Sequence, residues 1–426
     1  MHTAESHIPW PGSQADPPPW LPDDPDAHAQ SGAILLQAGN LDGAREQFEL
    51  ALTAEPSSRR AHAGMYYALS GLGEMHSAAS HLARALQLQA LFTLPYRGDS
   101  SPVSVLLLLS INSGNVLIQR FLNDRIFQTH IAIVEFYEVW MPLPPHDLVI
   151  NGIGDADVRA EALSAAVSIL ARCSAPVINN PAAVRESGRC RNAERLAGIP
   201  GVVTARTMTL PRARLAGCHA AAELATCGFE FPLLLRAPGF HMGKHFVCVE
   251  DANNLDDELS RLPGEDLIVL QYLDGRGADG CTRKYRVLFI DGRFYPVHAA
   301  VSSHWKIHYF SAEMAEHSER RAEDAAFLAD MEGVLGPGTM TALKRIEEML
   351  GLDYGGIDFG LNGKGEILLF EANATMAVYW PDANPRWDYR RPAVERIYTA
   401  VPQMLITRAA AAGTKGIRQL PPSLPS

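Results

Sequence analysis

The chain is 426 residues long and 47% hydrophobic, with 37 basic and 48 acidic side chains and a net charge of −11. That length holds two or three domains, and that apolar content supports a buried core. The acidic balance, with no long basic run, argues against nucleic acid or an anionic membrane as a partner.

The N-terminus, MHTAESHIPWPGSQADPPPWLPDDPDAH, lacks the basic start and apolar core of a secretory signal. The most apolar stretch, 103–111, is too short to span a bilayer. Cysteines stand at 173, 190, 218, 227, 248 and 281 with no Cys-x-x-Cys pair, which fits a reduced compartment rather than a disulfide framework. Cys248, in HFVCVE, reads as a small core residue. A soluble, cytoplasmic protein is expected.

Residues 1–25 carry seven prolines and little periodicity, and read as a disordered arm. The end, 411–426, reads as a flexible tail. Residues 26–95 hold an internal repeat at an offset of 34: Leu35 falls on Leu69, Gly39 on Gly73, Ala44 on Ala78, Phe48 on Leu82 and Ala51 on Ala85. That period, with small residues where helices touch and a glycine at the turn, resembles tetratricopeptide repeats. Pro56 closes the first repeat where that family places its proline, whereas Ala90 departs from it in the second. About two repeats are fewer than normally stand alone.

From 101 to 200 the runs 103–110, 129–136 and 147–154 are strand-like, and PVINN returns to strand after a helical pattern through Val158, Ala162, Leu163, Ala166, Val167 and Leu170. Asp155 is expected to cap that helix. Alternating strands and helices predict a small, largely parallel α/β domain. From 201 to 410 long strands alternate with tight glycine turns, Asp291-Gly292 and Asn362-Gly363 among them. Helices are expected near 255–262, 320–332, 339–350 and 388–407. This part reads as α+β with antiparallel sheets.

Three segments carry candidate chemistry. GGIDFGLNGKGEILLFEANA reads as a hairpin with Asp358 on one strand and Glu371 and Asn373 on the other, the last two sharing a face. Two carboxylates and an amide oxygen suit a hard divalent cation; a solvated hairpin is the alternative. Asn373-Ala374-Thr375 also matches a glycosylation acceptor, which is incidental without a signal peptide. FPLLLRAPGFHMGKHFVCV offers Arg236, a loop from Gly239 through Gly243 to Lys244, and so backbone amides and positive charge for phosphates, or else a plain hairpin turn. IVLQYLDG passes from an apolar strand into Gln271, Tyr272 and Leu273, placed to meet an adenine edge or to serve as an edge strand. GRGADG at 275–280 is no dinucleotide fingerprint, because it leads into a strand where that motif must open a helix.

In this order and at these distances the segments resemble the ATP-grasp superfamily, in its glutathione-synthetase-like and peptide-ligase branch, over about residues 100–410. The resemblance implies an α+β ATP-grasp fold at 201–410, a preceding α/β pre-ATP-grasp domain at 101–200, and an N-terminal helical repeat segment. It implies ATP as cofactor and Mg²⁺, or Mn²⁺, held by Asp358, Glu371 and Asn373. Arg236 stands where the family usually has a phosphate-binding lysine, and Arg191, or Arg189 beside it, replaces an earlier nucleotide lysine. Arg286, in KYRV, falls where the family keeps a cation that stabilises the transferred phosphoryl group.

The cluster 302–308 reads as a loop over the acceptor pocket, with Lys306 meeting a carboxylate or phosphate. His304 and His308 are spaced to share a helix face; structural or substrate-contacting histidines are favoured over zinc, for want of a third ligand. The implied reaction joins a carboxylate to an amine through an acylphosphate, on an amino-acid or peptide-like substrate, behind a flap at 239–246. A small-molecule kinase on the same fold, or a non-catalytic protein working through its repeats, is the alternative. The repeats are expected to bind a protein or peptide partner or to self-associate. Asp358→Asn and Glu371→Gln are expected to abolish ADP formation and leave the fold intact.

Overall fold

The computed structural model describes residues 27–138, 140–240, 243–307 and 313–412. The arm at 1–25, most of the tail at 411–426, His308 and two flap residues lie outside them. The chain divides into two compact units: one runs to Ile153 and adds Ser164–Val177 and the chain from Ile406, and the other comprises Gly154–Leu163 and Ile178–Leu405.

The first unit opens with four helices, α1 (Ala27–Gln37), α2 (Leu41–Ala54), α3 (Arg59–Leu72) and α4 (Met75–Leu88). They form two hairpins whose turns fall at Gly39 and Gly73, both in the left-handed region, φ 77° and 84°. Asn40 accepts the Gly43 N–H and caps α2, whereas its counterpart Glu74 makes no such cap for α4. Phe48 is the shared core of the array, packed against Gly32 and Gly64 among Ala44, Ala61, Ala68 and Leu69. A Cβ on Gly64 would stand 2.2 Å from that ring, which is why small residues recur here.

Beyond the hairpins lie β1 (Leu91–Thr93), β2 (Val103–Leu109), β3 (Phe127–Ile133), β4 (Leu148–Asn151) and β5 (Val177–Ile178). Their order is β1-β3-β2-β4-β5, with β2 parallel to both β3 and β4 and β1 antiparallel to β3. The near-continuous burial of Leu106, Leu107, Leu108 and Leu109 is what a parallel strand covered on both faces requires. The expected helix is α5 (Ala160–Leu170). Five residues before that helix begins, Asp155 Oδ1 accepts the Asp157 N–H at 3.0 Å.

The second unit is built on two sheets. Short helices α6 (Pro181–Arg185) and α7 (Arg189–Leu196) lead to β6 (Val202–Thr204), β7 (Thr207–Pro211), α8 (Ala220–Thr226), β8 (Leu233–Arg236), β9 (Phe246–Val249), α9 (Leu255–Ser260) and β10 (Asp266–Gln271). One sheet is antiparallel, β7-β10-β8-β9, and buries Leu233, Leu235, Leu267 and Val269 with Leu224 of α8 and Leu259 of α9. Cys248 is not part of that core. It lies half-buried on β9 with Sγ 3.6 Å from Glu250, and burial followed by that carboxylate pushes its thiol up to about 12.

The other sheet, β12-β11-β13-β14-β6, joins β11 (Thr282–Ile290), β12 (Arg293–Ser302), β13 (Tyr354–Leu361) and β14 (Ile367–Asn373). The β11–β12 turn is Asp291-Gly292 with φ 50° and 75°, as read from the sequence. The β13–β14 turn differs: Asn362 opens a five-residue loop, and Gly365, not Gly363, takes the positive φ of 76°. Asn362 Oδ1 accepts the Lys364 and Glu366 N–H groups, which sets the longer loop. Helices α10 (Ser318–Ala329), α11 (Met331–Leu350, broken at Gly336-Pro337) and α12 (Arg391–Ala412) complete the elements. No helix among the described residues is long and apolar enough to cross a membrane.

Candidate functional site

Two irregularities in the second sheet set the site. On β14, Leu369 pairs with Phe359 and Glu371 with Asp358, so Phe370 is an extra residue. On β12, His298 pairs with Arg286 and Pro296 with Val287, so Val297 is extra. Bulges turn side chains that a regular ladder would misplace. Without the one at Phe370, Asp358 would face a phenyl ring; with it, Asp358 faces Glu371.

Around that pair the geometry is dense in charge. Arg286 grips Asp358 with both arms, Nε–Oδ1 at 2.6 Å and Nη2–Oδ2 at 2.8 Å, and Lys284 adds Nζ–Oδ2 at 3.0 Å. Burial alone would raise the Asp358 pKa, but Arg286 and Lys284 overcome it and hold the carboxyl well below the usual range. Glu371 is likewise held low against burial, by Arg189 and then Arg236. Arg189 Nη2 donates to Glu371 Oε1, and Asn373 Nδ2 donates to the same oxygen at 2.9 Å. Asn373 Oδ1 accepts from the Thr375 N–H at 2.9 Å and hydroxyl at 2.8 Å. Behind Arg286, the wholly buried His298 is kept neutral by burial and by Arg286 and Arg390.

A cleft open to solvent lies against Glu371 and Asn373. Asp155, Asp157, Arg189, Asn192 and Leu270 are among its other walls. Arg236 leaves the end of β8 with Nη2 donating to the Phe240 carbonyl and its guanidinium 5.7 Å from the Phe246 ring centre. Burial, then the nearby Arg189, lower its pKa to about 10. Lys306 Nζ donates to the Phe246 carbonyl at 2.9 Å and is lowered by burial and by Arg236. Both cations thus rest on backbone oxygens of the β8–β9 segment. Gly239 and Gly243 both adopt positive φ there, and Lys244 Nζ lies over the Phe240 ring at 5.6 Å. Gln271 ends β10, with its amide oxygen accepting the Arg206 N–H at 3.2 Å. Tyr272 follows, with its ring 6.4 Å from Trp305, itself edge-on to Phe246 at 5.5 Å; Leu273 comes next.

The structure therefore brings Asp358, Glu371, Asn373 and Arg286 together, sets Arg236 within electrostatic reach of Glu371, and places Lys306 near Arg236. Arg191 does not join them. It is exposed and paired with Glu186 at 2.8 Å and Glu194 at 3.9 Å, because two residues' step along α7 turns it about 200° from Arg189, onto the far side of the helix. His304 lies outside any helix, so it shares no helical face. Lys284 and Asp157 went unread. Lys284 stands two residues before Arg286 on one strand, the same signal that put Glu371 and Asn373 on one face. Asp157 carries no pattern of its own beyond Asp-Ala-Asp after an apolar strand.

Among the described residues no group of three His, Cys, Asp or Glu side chains is placed to hold a metal. The donor set nevertheless suits a hard divalent cation. Both carboxylates are ionised and paired across strands, each has about four lone-pair sites, and only part of that capacity is taken by Arg286, Lys284, Arg189 and Asn373.

No family model matches the chain, and no curated protein matches it. It is similar to several solved structures. VanG D-Ala:D-Ser ligase from Enterococcus faecalis aligns at 12% identity and TM-score 0.45, over 72% of this chain and 100% of that one. A RimK domain protein ATP-grasp from Sphaerobacter thermophilus aligns at 15% and 0.42, over 71% and 99%. D-alanine–D-alanine ligase from Bacillus anthracis, complexed with ATP, aligns at 12% and 0.45, over 73% and 98%.

Proposed function

We propose that this chain is an ATP-dependent carboxylate–amine ligase of the ATP-grasp type. The observation that carries the reading is the Asp358–Glu371 pair, both members ionised, with Arg189, Arg236, Lys284 and Arg286 around them. A cationic surround of this kind is unfavourable on its own and suits an incoming polyphosphate. Arg236 and Lys306 exchange their backbone carbonyls, Phe240 and Phe246, for phosphate oxygens of ATP. Gln271, Tyr272 and Leu273 take the adenine edge, and the loop with Gly239, Gly243 and Lys244 covers the phosphates. Asp358, Glu371 and Asn373 hold Mg²⁺, or Mn²⁺, which when bound neutralises phosphate charge.

The substrate carboxylate then attacks the γ-phosphorus as the bond to ADP breaks. Arg286, fixed in orientation by Asp358, meets charge developing on the transferred phosphoryl group. An amine attacks the acylphosphate carbonyl, phosphate leaves and the amine loses a proton, giving an amide. Shutting water out of the cleft matters, because hydrolysis of the acylphosphate is the competing reaction. The substrates are an amino acid or peptide-like carboxylate and an amine. The helical hairpins are a tetratricopeptide-like docking or self-association element ahead of an α/β domain at 101–200 and an ATP-grasp domain at 201–410, in a cytoplasmic protein.

A screen for ADP release across carboxylate and amine pairs, followed by product mass, tests the reading. Amide product with free phosphate supports it. Product that retains phosphate makes the chain a kinase, and no ADP with any pair removes the enzymatic reading.

A further inference from the structure

The turn before α5 holds a relay to the head of α7 that the ligase reading leaves unused. Asp155 Oδ1 accepts the Asp157 N–H at 3.0 Å and so aims the Asp157 carboxylate. Both Asp157 oxygens accept the first N–H of α7, that of Arg189, at 3.0 and 3.3 Å. This approach needs glycine at the preceding position, since a Cβ on Gly188 would stand 2.7 Å from Asp157 Oδ1. The same carboxylate also faces the Arg189 side chain, Oδ2 to Nη1 at 3.9 Å, while the other arm of the guanidinium rests on Glu371. One guanidinium is thus bracketed by two carboxylates, one of them a member of the proposed metal-binding set.

We propose that Asp157 is a positioning residue that keeps Arg189 in the cleft and offers it a second seat when a divalent cation takes Glu371. Arg189 and the cation compete for one carboxylate, since both are positive and both need Glu371. Without Asp157, the guanidinium leans more heavily on Glu371, with Asp155 a weaker influence, and opposes the cation more strongly. With Asp157, Arg189 can yield Glu371 and stay at the head of α7, its charge turned toward the cleft and an incoming phosphate. The phosphate half of this inference rests on the ligase reading, whereas the exchange at Glu371 does not.

The test uses the full chain and Mn²⁺ alone, with free and bound Mn²⁺ read by electron paramagnetic resonance and Glu371→Gln defining the background. Arg189→Gln removes the competitor and is expected to tighten Mn²⁺ roughly tenfold, the scale on which outer partners tune metal sites. Asp157→Asn is expected to weaken it by about the same factor, with Asp157→Glu recovering part of the loss. In turnover, Asp157→Asn should raise KM for ATP more than it lowers kcat. Unchanged Mn²⁺ affinity and unchanged KM in Asp157→Asn would overturn the proposal and leave Asp157 as a helix cap. Arg189→Gln keeps the Asp157 bonds to α7; should Asp157→Asn not fold, Mn²⁺ affinity unmoved by Arg189→Gln overturns the exchange equally. The expected Mn²⁺ shifts together with no ADP from any substrate pair would sustain the exchange while removing the ligase reading.

Discussion

Asp358→Asn should damage the fold as well as the chemistry, which reverses the expectation drawn from sequence alone. Asp358 keeps only 3% exposure, and its oxygens are held by Arg286 at 2.6 and 2.8 Å and by Lys284 at 3.0 Å. The two cations are themselves largely buried, with side-chain exposures of 20% and 13%. An asparagine keeps the shape and removes the charge, so two buried cations face one amide and each other. Removing one partner of a buried ion pair costs about 3–5 kcal/mol, a large share of the roughly 5–15 kcal/mol by which a domain is stable. At about 2–4 °C per kcal/mol for a domain of 150–250 residues, the melting temperature of the second unit should fall by roughly 6–20 °C.

The sign with pH follows from the same triad. Asp358 has its folded pKa depressed below the unfolded value, so its contribution is present above the unfolded carboxylate range, near pH 4, and is lost as pH falls toward the folded value. Thermal melts of wild type and Asp358→Asn at pH 7 and pH 4, with hydrogen exchange along β11, β13 and β14, measure both effects. The gap between the two proteins should be full at pH 7 and begin to narrow by pH 4. Asp358→Asn/Lys284→Met, which deletes one orphaned cation, should recover part of the loss. A melting temperature within 2 °C of wild type at pH 7, from about 2 °C per kcal/mol, would refute the ion-pair argument. Glu371→Gln is the cleaner chemical probe: Glu371 keeps 27% side-chain exposure, and the fold should survive while ADP formation stops.

Arg236→Lys should raise KM for ATP by about tenfold or more, because an ammonium loses one bond of a planar fork worth roughly 1.5–3 kcal/mol; Arg236→Ala should be worse, and unchanged values in both would place Arg236 outside the phosphate site. Deleting 1–88 should leave ADP formation measurable, whereas a start at 95 should fare worse, because it removes β1, which pairs with β3; equal activity of the two truncations contradicts this. The α3–α4 hairpin should loosen on acidification, since the Nδ1 atoms of His62 and His81 lie 2.9 Å apart and burial lowers both pKa values. Arg84 near His62 lowers further, while Glu49 near His81 and the Pro56 carbonyl on His62 oppose the shift. Groups whose folded pKa is depressed favour unfolding as pH drops below the unfolded histidine value of about 6.5, so the protection of amides in 59–88, relative to their intrinsic exchange rate at each pH, should fall between pH 7.5 and 5.5. His81→Asn should flatten that dependence.

What the sequence disclosed and what it withheld divide along one line. Periodicity and turn chemistry are local, so the two helical hairpins, the parallel strands 103–109 and 127–133, and the Asp291-Gly292 turn were legible residue by residue. The shared face of Glu371 and Asn373 was legible as well, because both lie beyond the bulge and keep an unbroken alternation. The facing of Asp358 by Glu371 was not. It depends on one extra residue, Phe370, and a bulge leaves no mark in an apolar run such as ILLFEAN. The choice between two arginines stayed open for a related reason. Arg189 and Arg191 are equivalent by composition and nearly so by position, and partners decide between them: Glu371 and Asp157 lie 182 and 32 residues from Arg189, while Glu186 is five from Arg191. A charge on a helix can be placed from its own sequence when its partner is a neighbour on that helix. When the partner is a buried carboxylate on a distant strand, only the packed sheet identifies it, and in this chain the cleft's chemistry turns on pairs of that second kind.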